Sequence, residues 1–304
     1  MTKAFNIVAT VSAAGLLVGT AVAARGQAPQ ARTRTIYVTA VDNKEAPVDG
    51  LTAADFTVKE DGKVREVVSA EIAKRPMQIA LMLDDSGLGL GAIRQGAGQF
   101  IETLQGKAEF AIITMAGRNL PLVDFTADAP TLYAGLQKML TRNTPSTYLL
   151  DGLVEVAQTF QRRKAERPVI VAVIVEGEEL SSARADVVLD AIQKSGVKLY
   201  YVGLGAPVTQ GNRPSYAAER AADSTEEESN KRNAVLGSAP KNSGGRSEQV
   251  LQTSGVPGLL KQFAVELAGQ YAVTYDTDTT NAKLSVETKR KGVKLRAPAR
   301  VGSK

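Results

Sequence analysis

The spacing of apolar residues changes period along the chain, and those changes divide it. Residues 34–42 (RTIYVTAVD) alternate apolar and polar side chains, the period-two pattern of a strand with one buried face. Residues 43–45 and 48–51 read as turns, and 56–59 as a short strand. Glu60-Asp61-Gly62-Lys63 carries the Asp-Gly hairpin signal, and 64–72 continues as a third strand. Pieces this short hold no core by themselves. From Met77 the pattern becomes one of continuous apolar runs: 77–83 (MQIALML), 109–115, 168–175 (PVIVAVIV) and 197–203. Such runs suit strands covered on both faces of a parallel sheet. Between them residues 90–105, 131–140, 149–160 and 186–194 place apolar side chains at helical spacing. Residues 257–268 form a further amphipathic helix, and 271–275, 283–288 and 293–296 return to strand.

This rhythm predicts a doubly wound, mostly parallel α/β sheet inserted in a small flanking β domain. Neither β flank can bury its apolar face alone, so the two are expected to pack together. The organisation read from it is a signal peptide over 1–23, a flexible lead-in over 24–33, an N-terminal β flank over 34–75, the α/β domain over 76–269 and a C-terminal β flank over 270–298. Residues 206–242 break the rhythm and are expected to be a solvated polar insertion, although Ser224-Thr225-Glu226-Glu227 could cap a polar helix running toward Leu236.

The first residues read as an address. Lys3 is followed by a run rich in Ala, Val and Leu, and Ala21-Val22-Ala23 supplies a small-x-small cleavage pattern. An uncleaved membrane anchor is the other reading; both place the rest of the chain beyond a membrane, periplasmic or extracellular.

Composition narrows the chemistry. The chain has no His and no Cys, which excludes a Ser-His-Asp triad, a thiol nucleophile, a disulfide and an ordinary zinc site. Its net charge of +5 is spread along the sequence and aromatics are 5%, a poor match to a nucleic-acid binder.

Against that background one series of short motifs stands out. Leu83-Asp84-Asp85-Ser86-Gly87-Leu88 ends the first buried strand, Ser146-Thr147-Tyr148-Leu149-Leu150-Asp151-Gly152-Leu153 opens a helix, and Val175-Glu176-Gly177-Glu178-Glu179 follows the strongest strand. In that order they resemble the three loops of the metal-ion-dependent adhesion site of von Willebrand factor A domains. Ser195-Gly196-Val197, residues 201–205 and Ser243-Gly244-Gly245-Arg246 also look like that fold. Residues 47–63, together with 268–271 and 286–292, resemble the flanks of a von Willebrand A-related group of exported proteins common in acidobacteria. The resemblance implies a domain that recognises a protein partner and has no enzymatic activity.

It also implies a metal site, with Asp84, Ser86, Thr147 and Glu176 as the candidate ligands of Mg²⁺. Leu88 stands where a second hydroxyl is expected, and Glu176 where an Asp is expected. Mg²⁺ asks for about six oxygen ligands. Two readings therefore stand: a weakened site, or a relic whose loops keep their shape while the partner surface works without metal. A protein partner would offer an acidic side chain if metal is present, and contact through the β flanks is the alternative. Gly87-Leu88-Gly89-Leu90-Gly91-Ala92 also matches a dinucleotide-binding fingerprint, but Asp84 and Asp85 beside it would repel a pyrophosphate. Phosphoryl-transfer chemistry lacks an Asp at the ends of 109–115 and 168–175 and a Lys at the end of 197–205.

Overall fold

The continuous apolar runs become neighbours in one sheet, because only a strand covered on both faces buries every side chain. The computed structural model describes residues 1, 32–142, 144, 146–205 and 230–302. The expected signal peptide, most of the lead-in and residues 206–229 of the insertion lie outside the described residues. The chain divides into two units, Met1–Ala31 and Arg32–Lys304, and all the described strands and helices belong to the second.

In chain order its strands are β1 (Arg32–Val41), β2 (Phe56–Glu60), β3 (Lys63–Arg65), β4 (Val67–Ile72), β5 (Met77–Leu83), β6 (Ala108–Thr114), β7 (Leu120–Thr126), β8 (Ser146–Thr147), β9 (Pro168–Val175), β10 (Glu178–Glu179), β11 (Lys198–Leu204), β12 (Arg246–Val250), β13 (Tyr271–Thr277), β14 (Ala282–Thr288), β15 (Lys294–Arg296) and β16 (Arg300–Val301). The helices that cover the sheet are α1 (Leu90–Thr103), α2 (Ala129–Gln137), α3 (Leu149–Arg162), α4 (Ala185–Ser195) and α5 (Val256–Ala268).

The central sheet has the order β12-β11-β9-β5-β6-β7, parallel except for β7 at one edge. Side chains alternate between two cores. Ile79, Leu81, Val171 and Val173 meet Ile93 and Phe100 of α1, Leu136 of α2 and Phe263 of α5. Ala80, Met82, Ile170 and Ala172 meet Leu153 and Phe160 of α3 and Ile192 of α4. Helices on both faces make the sheet doubly wound, which is the architecture that the von Willebrand A resemblance implies.

Two four-stranded sheets flank it, β15-β1-β13-β4 and β16-β14-β2-β3. Each joins strands from both ends of the chain: Ile36 pairs with Val273, and Val58 with Val286. Between the sheets Ile36, Val38, Phe56, Val58, Tyr271, Val273 and Leu284 form a third core. The α/β unit is thus inserted between β4 and β13.

Several local expectations need correction. Arg32 and Thr33, expected in the lead-in, already pair with Thr277 and Asp276. The strand expected over 64–72 breaks at Glu66, since β3 pairs with β2 and β4 with β13 in the other sheet. The helix expected over 131–140 runs from Ala129 to Gln137, with Asp128 accepting from the Thr131 N–H at 2.9 Å and Pro130 in its first turn. β7 was not foreseen; its Pro121 suits an edge strand. Most consequentially, the described end of the polar insertion is no solvated loop. Residues 230–236 and Ala239–Asn242 are helical, and Val235 and Ala239 are buried against Leu199 and Tyr201.

Candidate functional site

Loops leaving the C-terminal ends of parallel strands converge on one rim, the usual place for a site in an open α/β sheet. The loop after β5 is tight. Gly87 and Gly89 both have positive φ, and a Cβ on Gly89 would collide with Thr253 and Leu204. That close approach is to protein side chains, so the Gly-x-Gly spacing is used for packing α1 against the segment after β12.

Asp84 is buried, and both of its carboxylate oxygens are engaged. Oδ1 accepts from the Ser86 N–H at 2.7 Å and Oδ2 from the Val175 N–H at 2.9 Å, tying the first loop to the third. Burial pushes its pKa up, the hydrogen bonds to Ser86 and Val175 pull it back, and Asp85 adds to the rise. Asp85, also buried, accepts from the Ala116 N–H at 3.0 Å and pairs with Arg142 Nε at 2.9 Å. Arg142 in turn donates to Ala116 O and Thr114 Oγ1, so one guanidinium holds the first loop against the end of β6.

Thr147 is buried beside Ala116 and, through the two-stranded β8–β10 pairing, beside Glu179. Its Oγ1 lies 3.5 Å from both Glu178 O and Glu179 Oε2. Glu179 is therefore the third-loop acid that meets Thr147. Its Oε1 accepts from the Leu150 and Ser181 N–H groups, which places negative charge at the N-terminus of α3. Burial raises its pKa against those bonds.

Glu176 turns the other way. Its carboxylate lies over Gly203, where any side chain would run into it, and accepts from Tyr201 Oη at 3.1 Å and Gln249 Nε2 at 3.1 Å. Its other oxygen is held by Arg232, which also donates to Gly177 O at 3.2 Å. Both side chains of this ion pair are 6% exposed. Leu88 is 59% exposed and Ser86 is half-buried.

The four candidate ligands thus share the rim but not a common partner. Asp84 is centred on β5, Thr147 turns toward Glu179 on the β6 side, and Glu176 is bound by Arg232 above β11. Among the described residues no group of three or more acidic side chains is arranged to hold a metal ion. The donor set fits Mg²⁺ poorly. One acid is neutralised by a buried guanidinium, both oxygens of another accept backbone N–H groups, and Leu88 offers no oxygen. Arg142 and Arg232 were not singled out from sequence. The available signal was that each acid-rich loop has an arginine somewhere in a neighbouring polar segment, which spacing alone does not pair.

The fold and rim define a doubly wound α/β protein carrying an acidic loop cluster that is compensated from within. The sheet order and the placement of helices on both faces carry that assignment. No family model matches the chain, and no curated relative matches it. Solved structures with a similar fold include a von Willebrand factor type A protein from Catenulispora acidiphila, 9% identical over 91% of this chain and 75% of that one, with a TM-score of 0.48. Proximal thread matrix protein 1 from the mussel byssus, with a zinc-occupied MIDAS motif, is 13% identical over 68% of this chain and 50% of its own, with a TM-score of 0.49. BatB from Bacteroides thetaiotaomicron is 13% identical over 63% of this chain and 98% of that one, with a TM-score of 0.43. The chain spans about half the length of the mussel protein.

Proposed function

We propose that the chain is an exported, non-enzymatic protein-interaction module whose partner docks on the loop rim without a bridging metal ion. The observation that carries this reading is the combination at the rim. Its acids are paired with Arg142 and Arg232 or with backbone N–H groups, while Leu88, Leu140, Leu180 and Leu251 stand exposed in the segments around them. Apolar side chains above a neutralised base favour contact by burial, not by metal-bridged carboxylate. Export rests on the N-terminal sequence; among the described residues no helix is long and apolar enough to cross a membrane. The domain limits proposed are 32–75 and 270–302 for the flank, so as to include the start of β1 and β16, and 76–269 for the α/β unit.

A second reading places the contact on the β flank, where Val64 and Val68 are exposed and Ile72 is at its edge. Chemical cross-linking in an envelope extract with Leu88→Asp, Leu180→Asp and Val68→Asp variants separates the two. Loss of the cross-linked product with the leucine variants supports the rim, whereas loss with Val68→Asp alone supports the flank. Titration of millimolar Mg²⁺ or Mn²⁺ is expected to shift the melting temperature by less than about 1 °C, because a ligand below its Kd adds little stability. A larger shift, abolished by Asp84→Ala, would restore the metal site of Asp84, Ser86, Thr147 and Glu176.

A further inference from the structure

At the end of the sheet opposite the loops, the starts of β9 and β11 border a partly open cavity of about 530 Å³, lined also by β1 and the last strands of the flank. Its lining carries seven Lys or Arg side chains and one carboxylate, Glu166. Four of these eight charges are already in ion pairs: Glu166 with Arg75, Arg34 with Glu60, and Lys194 with Asp190. Two buried ones are not.

Arg167 is 4% exposed. It donates to Arg75 O, Leu267 O and Gln270 Oε1, and its guanidinium lies 5.0 Å from the centre of the Tyr37 ring. Its Nε is buried with no acceptor. Lys198 is 6% exposed, and its Nζ donates to Tyr37 O at 3.2 Å. No carboxylate reaches either cation among the described residues. The charged neighbours of Lys198 are Arg167 at the start of β9, Arg296 of β15 and Glu266 of α5. Glu266 is itself held by Arg246 and Arg296.

An uncompensated buried charge is costly, and two of them on one cavity wall cost more than either alone. Arg167 has a structural task, since its carbonyl bonds tie the start of β9 to the end of α5. Lys198 has one backbone bond, which an apolar side chain could replace with little loss. An ammonium with two spare protons, in the field of the buried Arg167 guanidinium and on a cavity of small-molecule size, supplies the charge and donors that an anionic head group needs. We propose that this cavity binds a small oxyanion, a molecule carrying a carboxylate or phosphate group, with Lys198 as its donor and the charge of Arg167 beside it. Ile36, Val169 and Val301 also line the cavity, beside any apolar body attached to the oxyanion.

Burial beside Arg167 and Arg296 pulls the Lys198 pKa down to about 7. An anion reverses that balance, so binding near neutral pH takes up a proton at Lys198. The test is calorimetric titration of the full chain with inorganic phosphate, acetate and hexanoate, with chloride at matched ionic strength as the control, in two buffers of different ionisation heat. The expected result is binding of at least one oxyanion at pH 6.5 and fractional proton uptake. Affinity should fall between pH 7 and pH 9, and Lys198→Met should weaken binding at least tenfold. Phosphate binding best identifies a phosphate head group; hexanoate over acetate identifies a carboxylate with an apolar tail. Absence of oxyanion binding beyond chloride overturns the proposal, as does equal binding by Lys198→Met. If that variant does not fold, wild-type binding without proton uptake overturns it independently.

Discussion

The two ends of the sheet treat buried charge differently, although at the rim Asp84 and Glu179 too are held by N–H groups without a guanidinium. At the C-terminal rim Glu176 meets Arg232 and Asp85 meets Arg142, each carboxylate with a guanidinium and further hydrogen bonds. At the N-terminal end Arg167 and Lys198 are equally buried and meet backbone and amide oxygens only. Charges that are paired hold a structure together. Charges left without a counter-ion keep their full desolvation cost and gain most from an arriving partner. The rim therefore reads as a finished surface and the cavity as an incomplete one.

The comparison breaks most readily at Arg232. Replacing it with Ala strands Glu176 in a buried position, at a cost of about 3–5 kcal/mol in urea unfolding. Glu176→Leu combined with Arg232→Met should recover most of that loss, because the pair as a whole gains little over well-packed apolar side chains. A double variant as unstable as the single one would show that the pair does more than neutralise itself.

Lys198 gives the next effect. Its folded pKa of about 7 lies below the unfolded value near 10.4, so between those limits the unfolded chain holds more protons. Stability should rise with pH across that window, by at most about 1.4 kcal/mol per pH unit. Lys198→Met should remove this part of the slope while stabilising the protein at pH 7. An unchanged pH profile would mean that the lysine is hydrated and charged.

The smallest effect is at Asp84. Burial raises its folded pKa above the unfolded value near 3.9, so just above that value the native state holds a proton that the unfolded chain has released. Its contribution to stability falls as pH rises through the window. Asp84→Asn, which loses one of the two side-chain oxygens that accept backbone N–H groups, should be destabilised by about 1–2 kcal/mol. Its deficit should narrow as pH rises from 4 toward 6, read as the difference between the two chains' urea midpoints.

Much of the architecture was legible because it follows from burial alone. A run such as Pro168–Val175 has no polar side chain to turn toward water, so it goes to the middle of a covered sheet. The helices of the α/β unit show their apolar faces at helical spacing, and only their ends moved by a few residues. β7 was hidden because Asp124 and Pro121 interrupt its pattern, which an edge strand tolerates. The break at Glu66 was hidden because both halves of residues 64–72 are good strand; the change of sheet depends on β2 and β13, which lie far apart in sequence. At the rim the motif order correctly marked the loops but not the partner of each acid.

The pattern of side chains along the chain thus determined which segments are strand or helix, which are buried, and which acids stand at strand ends. These are properties of neighbours a few residues apart. Only the tertiary structure decided that Arg232, from a segment of ordinary polarity, would cap Glu176, that Thr147 would face Glu179, and that Lys198 and Arg167 would share a cavity whose one acid is already paired. Those outcomes depend on distances between residues far apart in sequence, and a charge carries no local mark of the partner that will neutralise it.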